Sequence, residues 1–132
     1  MNIVIDTSAV IAVIVGEPEK GAIIAATSGH TLIGPGSIPW EIGNAFSLMF
    51  KKGSLDVEDA QRGLKIFDSI PLQYVNVDMA NVLSIAAQVN AYAYDAYLLD
   101  CALRHTAPLL TLDQRLRRAA GELNINLVNL EG

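Results

Sequence analysis

Asn2–Val15 reads NIVIDTSAVIAVIV, and this stretch decides the fold. Residues 2–6 are dense in β-branched side chains and apolar on both faces of a period-two pattern, the mark of a strand buried on both sides. Asp6 ends the run, Thr7–Ser8 turn it, and Ala9–Val15 continues as an apolar helix that Gly16 and Pro18 stop. A buried strand feeding directly into a helix is the opening unit of a parallel sheet with right-handed crossovers.

Working outward, the same alternation recurs. Glu19–Ala26 reads as a short helix and Thr31–Ile33 as a second strand, closed by Gly34–Pro35–Gly36. Ile38–Lys52 is an amphipathic helix with Ile38, Ile42, Ala45, Phe46 and Met49 on one stripe and Gly53 behind it. Residues 54–69 form the next helix, with Val57, Ala60, Leu64 and Phe67 expected inward, and 72–77 a third strand. Asp78 caps a helix carrying Val82, Ile85, Ala86 and Val89. Asp95–His105 is a helix, 108–112 a fourth strand, 113–120 a helix and 125–130 a last strand. The expectation is one α/β domain over residues 1–132, three layers deep, with a central parallel sheet of about five strands. In such sheets function collects beyond the carboxyl ends of the strands.

Composition narrows the chemistry. The chain has 132 residues, 52% hydrophobic and 17% charged, enough for a core and unlike a disordered segment. A single cysteine, Cys101, excludes a disulfide framework, and two separated histidines, His30 and His105, exclude a histidine metal cage. No basic leader and no membrane-length apolar run is visible, so a cytoplasmic protein with no membrane partner is expected. Fourteen acids against nine basic residues give a net charge of −5, which by itself speaks against a nucleic-acid surface.

Four of those acids stand where a site would form. Asp6 and Asp113 follow strands, Asp95 opens a helix, and Glu41 interrupts the apolar stripe of its own helix. Each Asp could be no more than an N-cap. Glu41 could snorkel to water at the edge of its stripe, but buried it must be protonated, paired or metal-bound. If the four converge, like charges about 4 Å apart repel by about 4 kcal/mol at an effective dielectric near 20, so a cation is required. Oxygen-only ligands select Mg²⁺, Mn²⁺ or Ca²⁺ over zinc, and the matching chemistry is hydrolysis of a phosphate ester.

These motifs resemble the PIN domain family, and within it the VapC-type toxins of toxin–antitoxin pairs. The carriers are NIVIDTSAVIAVIV, IPWEIGNAF with Glu41 and Asn44, YDAYLLDCA with Asp95, and LLTLDQRL with Thr111 two residues before Asp113. The resemblance spans essentially the whole chain. It implies an endoribonuclease dependent on Mg²⁺, with Mn²⁺ as a substitute, whose catalytic and metal-binding residues are Asp6, Glu41, Asp95 and Asp113. Asp6 and Asp95 would be direct ligands. Glu41 and Asp113 would complete the shell, orient water or hold a second ion. Thr7, Ser8 and Thr111 would position carboxylates by hydrogen bonds. It also implies an RNA substrate, a cognate antitoxin and a homodimer.

Lesser candidates surround these. Arg115, Arg117 and Arg118 form either a solvated face or a phosphate-contacting strip, with Arg115 and Arg118 the candidates for RNA phosphate; Lys51 and Lys52 carry the same two readings. Asp100 is expected in a surface ion pair with Arg104, Trp40 in the core rather than stacked on a base, Tyr92, Tyr94 and Tyr97 around a helix start, and Cys101 as an inert core thiol. Three competing functions remain open. One is a phosphatase with Asp6 as nucleophile, weakened because Ser8 stands where a second Asp is needed. The others are a housekeeping RNA-processing nuclease and a non-catalytic PIN-like binding module.

Overall fold

The computed structural model describes residues 1–130. β1 (Asn2–Ile5) leads into α1 (Thr7–Val15), α2 (Lys20–Thr27) and β2 (Thr31–Pro35). Then come α3 (Ile38–Lys51), α4 (Val57–Ser69), β3 (Leu72–Val75), α5 (Met79–Val89), α6 (Ala93–His105), β4 (Leu109–Leu110) and α7 (Gln114–Glu122). The sheet has four strands in the order β3-β2-β1-β4, every pairing parallel. The segment expected as a last strand adds a single parallel bridge, Leu109 to Leu127, with hydrogen bonds Leu109 N to Asn126 O and Val128 N to Leu109 O, both 2.9 Å.

β1 is central, and Ile3, Val4 and Ile5 are all nearly inaccessible, so both sheet faces are covered by helices. α6 lies across β1, β2 and β4 with α5 beside it, while α1 gathers α2, α3 and α4. β3 is the edge strand, with Tyr74 half exposed. None of the described helices is long and apolar enough to cross a membrane.

The structure corrects several local expectations. On α4 the buried face is Ala60, Gly63 and Phe67, whereas Val57 and Leu64 face solvent. The side chains of Phe46 on α3 and Ile14 on α1 pack so closely onto Gly63 that a Cβ there would sit 2.7 Å from the Phe46 ring and 3.0 Å from Ile14. α6 begins at Ala93, with Tyr92 at the N-cap position making no side-chain capping bond, so Asp95 lies inside the first turn rather than at its start. Trp40 is 75% exposed rather than in the core, and Tyr92 and Tyr94 also face solvent.

Asp100 is fully buried rather than at the surface. It does bond Arg104 (Nε to Oδ2, 3.4 Å), but it also accepts from Asn81 Nδ2 at 2.6 Å and from the Asp78 backbone N–H at 3.2 Å. The carboxylate is therefore a clasp between the start of α5 and the body of α6. A carboxylate reaches full burial only with such partners. Next to it Cys101 is inaccessible, and burial, aided by the Asp100 charge, pushes its thiol up to about 12, which makes it inert.

A candidate active site at the carboxyl ends of the strands

The parallel strands deliver three of the four acids to one rim by topology alone. Asp6 immediately follows β1, Asp113 follows β4, and Glu41 lies in the first turn of the helix that leaves β2. Asp95 arrives from the first turn of α6, which packs over β1, β2 and β4.

Asp6 is the most constrained. Its side chain is 5% exposed and both oxygens are engaged. Oδ1 accepts from Ser8 Oγ at 2.7 Å and from the Ala9 backbone N–H at 3.1 Å, so Asp6 is also the N-cap of α1. Oδ2 accepts from Thr111 Oγ1 at 2.6 Å. Thr111 and Ser8 carry the frame further: Thr111 Oγ1 accepts from Asp113 N at 3.0 Å, and Ser8 Oγ accepts from Leu112 N at 3.0 Å. Two hydroxyls thus lock the end of β1 to the chain leaving β4. Asp113 caps α7, accepting from Arg115 N and Leu116 N. For Asp6 and Asp113 the capping role and membership of this cluster coexist.

Glu41 is half buried, and Ser37 donates to its Oε2 at 2.8 Å. Ser37 occupies the N-cap of α3 but makes no capping bond with its side chain; the hydroxyl serves the carboxylate instead. That residue escaped sequence analysis, although a Ser four positions before an internal Glu is a readable sign. Thr7 stands beside the same carboxylate. Its hydroxyl slightly favours the charged form of Glu41, yet Oγ1 is buried and forms no regular hydrogen bond.

The electrostatics tie the four together. Burial raises the proton affinity of Asp6 against the pull of its hydroxyl and amide donors, and the Asp113 charge adds to the rise. Burial and then Asp113 raise Asp95, with Arg115 opposing. Glu41 is pushed up to about 7, first by burial, then by the charges of Asp6 and Asp95, against the Ser37 bond. Each acid is thus within electrostatic reach of another. Among the described residues no three His, Cys, Asp or Glu side chains stand together as a ready-made metal cage. The donors nevertheless suit a hard divalent ion: all are carboxyl oxygens, and Asp6 is pre-oriented by its hydroxyl and amide donors.

Two clefts bear on the acids: Glu41 lines one, and Arg115, whose charge acts on Asp95, lines the other. One, of about 500 Å³, is lined by Thr7, Trp40, Glu41, Asn44, Leu48 and Tyr94 among others. The other, of about 580 Å³, includes Asn90, Tyr92, Arg115 and Arg118. Arg117 is committed elsewhere, its Nη1 donating to Thr111 O at 3.3 Å. His30 is exposed, and the Nε2 of His105 is buried without a partner; neither lines either cleft.

The fold is that of a small α/β domain with a parallel sheet flanked by helices, and it carries a candidate acidic site at the carboxyl rim. More narrowly, the PIN domain family model matches residues 3–122, and the chain belongs to that family, whose members are generally nucleases. Its fold is shared with PAE2754 from Pyrobaculum aerophilum (TM-score 0.70, 20% identity, 90% of this chain and 79% of that one). It is shared also with VapBC2 from Rickettsia felis, solved bound to a DNA fragment from its promoter (TM-score 0.66, 17% identity, 96% and 97% covered). A third similar structure is a toxin–antitoxin complex from Klebsiella pneumoniae (TM-score 0.56, 17% identity, 83% and 85% covered). No curated protein matches the sequence.

Proposed function

We propose that this PIN domain is a metal-dependent endoribonuclease acting as the toxin of a toxin–antitoxin pair in the cytoplasm. The observation that carries the proposal is the electrostatic coupling of four carboxylates from separate elements; at Glu41, burial first and then the charges of Asp6 and Asp95 bring the proton affinity to about 7. Such a group of anions becomes stable at neutral pH when a cation joins it. The similarity of fold to VapBC2 and to the Klebsiella complex supports the toxin role, with a cognate antitoxin as partner.

In this reading Asp6, Glu41, Asp95 and Asp113 hold Mg²⁺, for which Mn²⁺ can substitute. The ion, when bound, neutralises charge on the phosphoryl oxygens and activates water. The chain's own residues supply the rest. Ser8, Ala9 and Thr111 fix the plane of the Asp6 carboxylate, and Oδ2, with one donor, keeps a lone pair free. Asp95 complements it from α6, and Glu41 and Asp113 complete the shell or orient the attacking water. Arg115, whose charge reaches Asp95, and Arg118 contact flanking phosphates from the second cleft. The protein is proposed to work as a homodimer.

The test is cleavage of RNA by the purified chain with Mg²⁺, with Mn²⁺ and with EDTA. Cleavage with either ion and none in EDTA is expected. Asp6→Asn and Asp95→Asn should each lower the rate by at least about a hundredfold, in line with loss of one preorganised charge at a reacting centre. Wild-type rates in Asp6→Asn would refute the site. Growth arrest on expression, relieved by the product of a neighbouring reading frame, distinguishes a toxin from a housekeeping nuclease.

A further inference from the structure

The acids do not exhaust the chemistry of this rim. Trp40 directly precedes Glu41 and stands 75% exposed, and Tyr94 directly precedes Asp95 and stands 54% exposed. They come from different helices, α3 and α6, yet line the same cleft. Tyr94 is held by Tyr97 in an edge-to-face contact, with centroids 5.7 Å apart and planes at 87°. Asn44, one helical turn beyond Trp40, is exposed in the same cleft and offers both a donor and an acceptor. Two large aromatic rings kept in water beside a set of carboxylates are not serving the core.

We propose that Trp40 and Tyr94 form a subsite that stacks one unpaired base of the substrate strand beside the scissile phosphate, with Asn44 meeting the edge of that base. The proposal rests on the nuclease reading and deepens it. Stacking suits a chain with net charge −5, because it supplies affinity that phosphate contacts here cannot, and every base presents a π-face. It also suits single-stranded RNA, whose bases can splay onto aromatic side chains. An apolar protein surface fits the cleft less well, since covering it would seal the Glu41 carboxylate from water with no counter-charge. A nucleotide brings polar edges to the same place. The second cleft, with Tyr92, Arg115 and Arg118, would receive the continuing backbone.

Trp40 is the only tryptophan in the chain, so its fluorescence reports this cleft alone. Single-stranded RNA oligomers titrated into the full chain carrying Asp6→Asn, which suppresses cleavage, should quench the emission. The midpoint should match the Kd obtained from anisotropy of labelled RNA. Trp40→Ala and Tyr94→Ala should each raise that Kd about tenfold or more, and Trp40→Phe should recover most of it. In the otherwise wild-type chain the two alanine variants should raise KM more than they lower kcat. RNA binding without quenching, together with an unchanged Kd in Trp40→Ala, would overturn the subsite while leaving the nuclease reading intact. Emission that follows protein concentration instead of RNA would also overturn it, placing a second copy in the cleft. Neither cleavage nor binding of RNA by the wild-type chain would remove the nuclease reading, and the subsite with it.

Discussion

Glu41 shows how one residue's surroundings set its chemistry. Its proton affinity in the fold lies near 7, above the ordinary 4.5, and Asp6 and Asp95 are raised too. A carboxyl that binds its proton more tightly folded than unfolded stabilises the fold at low pH and loses that contribution as pH rises through the folded value. The metal-free protein should therefore melt higher at pH 5.5 than at pH 8. In Glu41→Gln, where one such acid is gone, that difference should shrink. Thermal unfolding in EDTA at the two pH values measures it. A pH dependence identical in wild type and Glu41→Gln would show that Glu41 is not the group responsible. Mg²⁺ should lift the pH 8 value most, because it offsets the repulsion that ionisation creates.

Among the elements, the α5–α6 pair and the α1–α3–α4 contact are the two joints most open to test. Asp100→Ala would leave three donors of the clasp, on Asp78, Asn81 and Arg104, without their acceptor inside the protein. A loss of about 2–4 kcal/mol in unfolding free energy is expected from denaturant titration. An effect below about 0.5 kcal/mol would mean that water replaces the clasp without cost. Gly63→Ala should also destabilise, by about 1–3 kcal/mol, even though alanine is the better helix former by roughly 1 kcal/mol. The reason is the 2.7 Å approach to the Phe46 ring, and a stabilised variant in the same titration would show that α4 can shift aside. Both joints lay beyond sequence reading. Leu64 and Phe67 share a helical stripe with Ala60, but only the placement of α1 and α3 decides that Gly63 takes the inward position in place of Leu64. Asp100 and Arg104 were legible as an i,i+4 pair, whereas the burial of Asp100 depends on Asp78 and Asn81 at the start of α5, 22 and 19 positions earlier.

On the scale of the whole molecule, the charge of −5 divides. Setting aside the four acids of the proposed site leaves −1 for the remainder. RNA would then be approached through a bound metal, two arginines and stacked aromatics rather than through a basic face. Few phosphates would be neutralised, so affinity should depend only mildly on salt. For two phosphate contacts on a single strand, the logarithm of the binding constant should fall with that of salt concentration with a slope of about −1.4. Anisotropy titrations between low and moderate salt measure it, and a slope several times steeper would reveal an extended basic binding surface.

Local pattern in the chain was enough for the alternation of strands and helices and for the parallel sheet, and it singled out the four acids as candidates, because each rests on β-branched runs, apolar stripes and short motifs. Asp6 and Asp113 are positioned by strands that end beside one another, so their placement follows from chain order. The tertiary structure decided what depends on neighbours distant in sequence. It brought Thr111 onto Asp6 across 105 positions, turned Ser37 onto Glu41 in place of a helix cap, buried Asp100, and left Trp40 in water beside the acids. Local pattern tells which face of a segment is apolar. Only packing decides whether that face finds a partner, and a site is built where polar and aromatic groups are held at the surface without one.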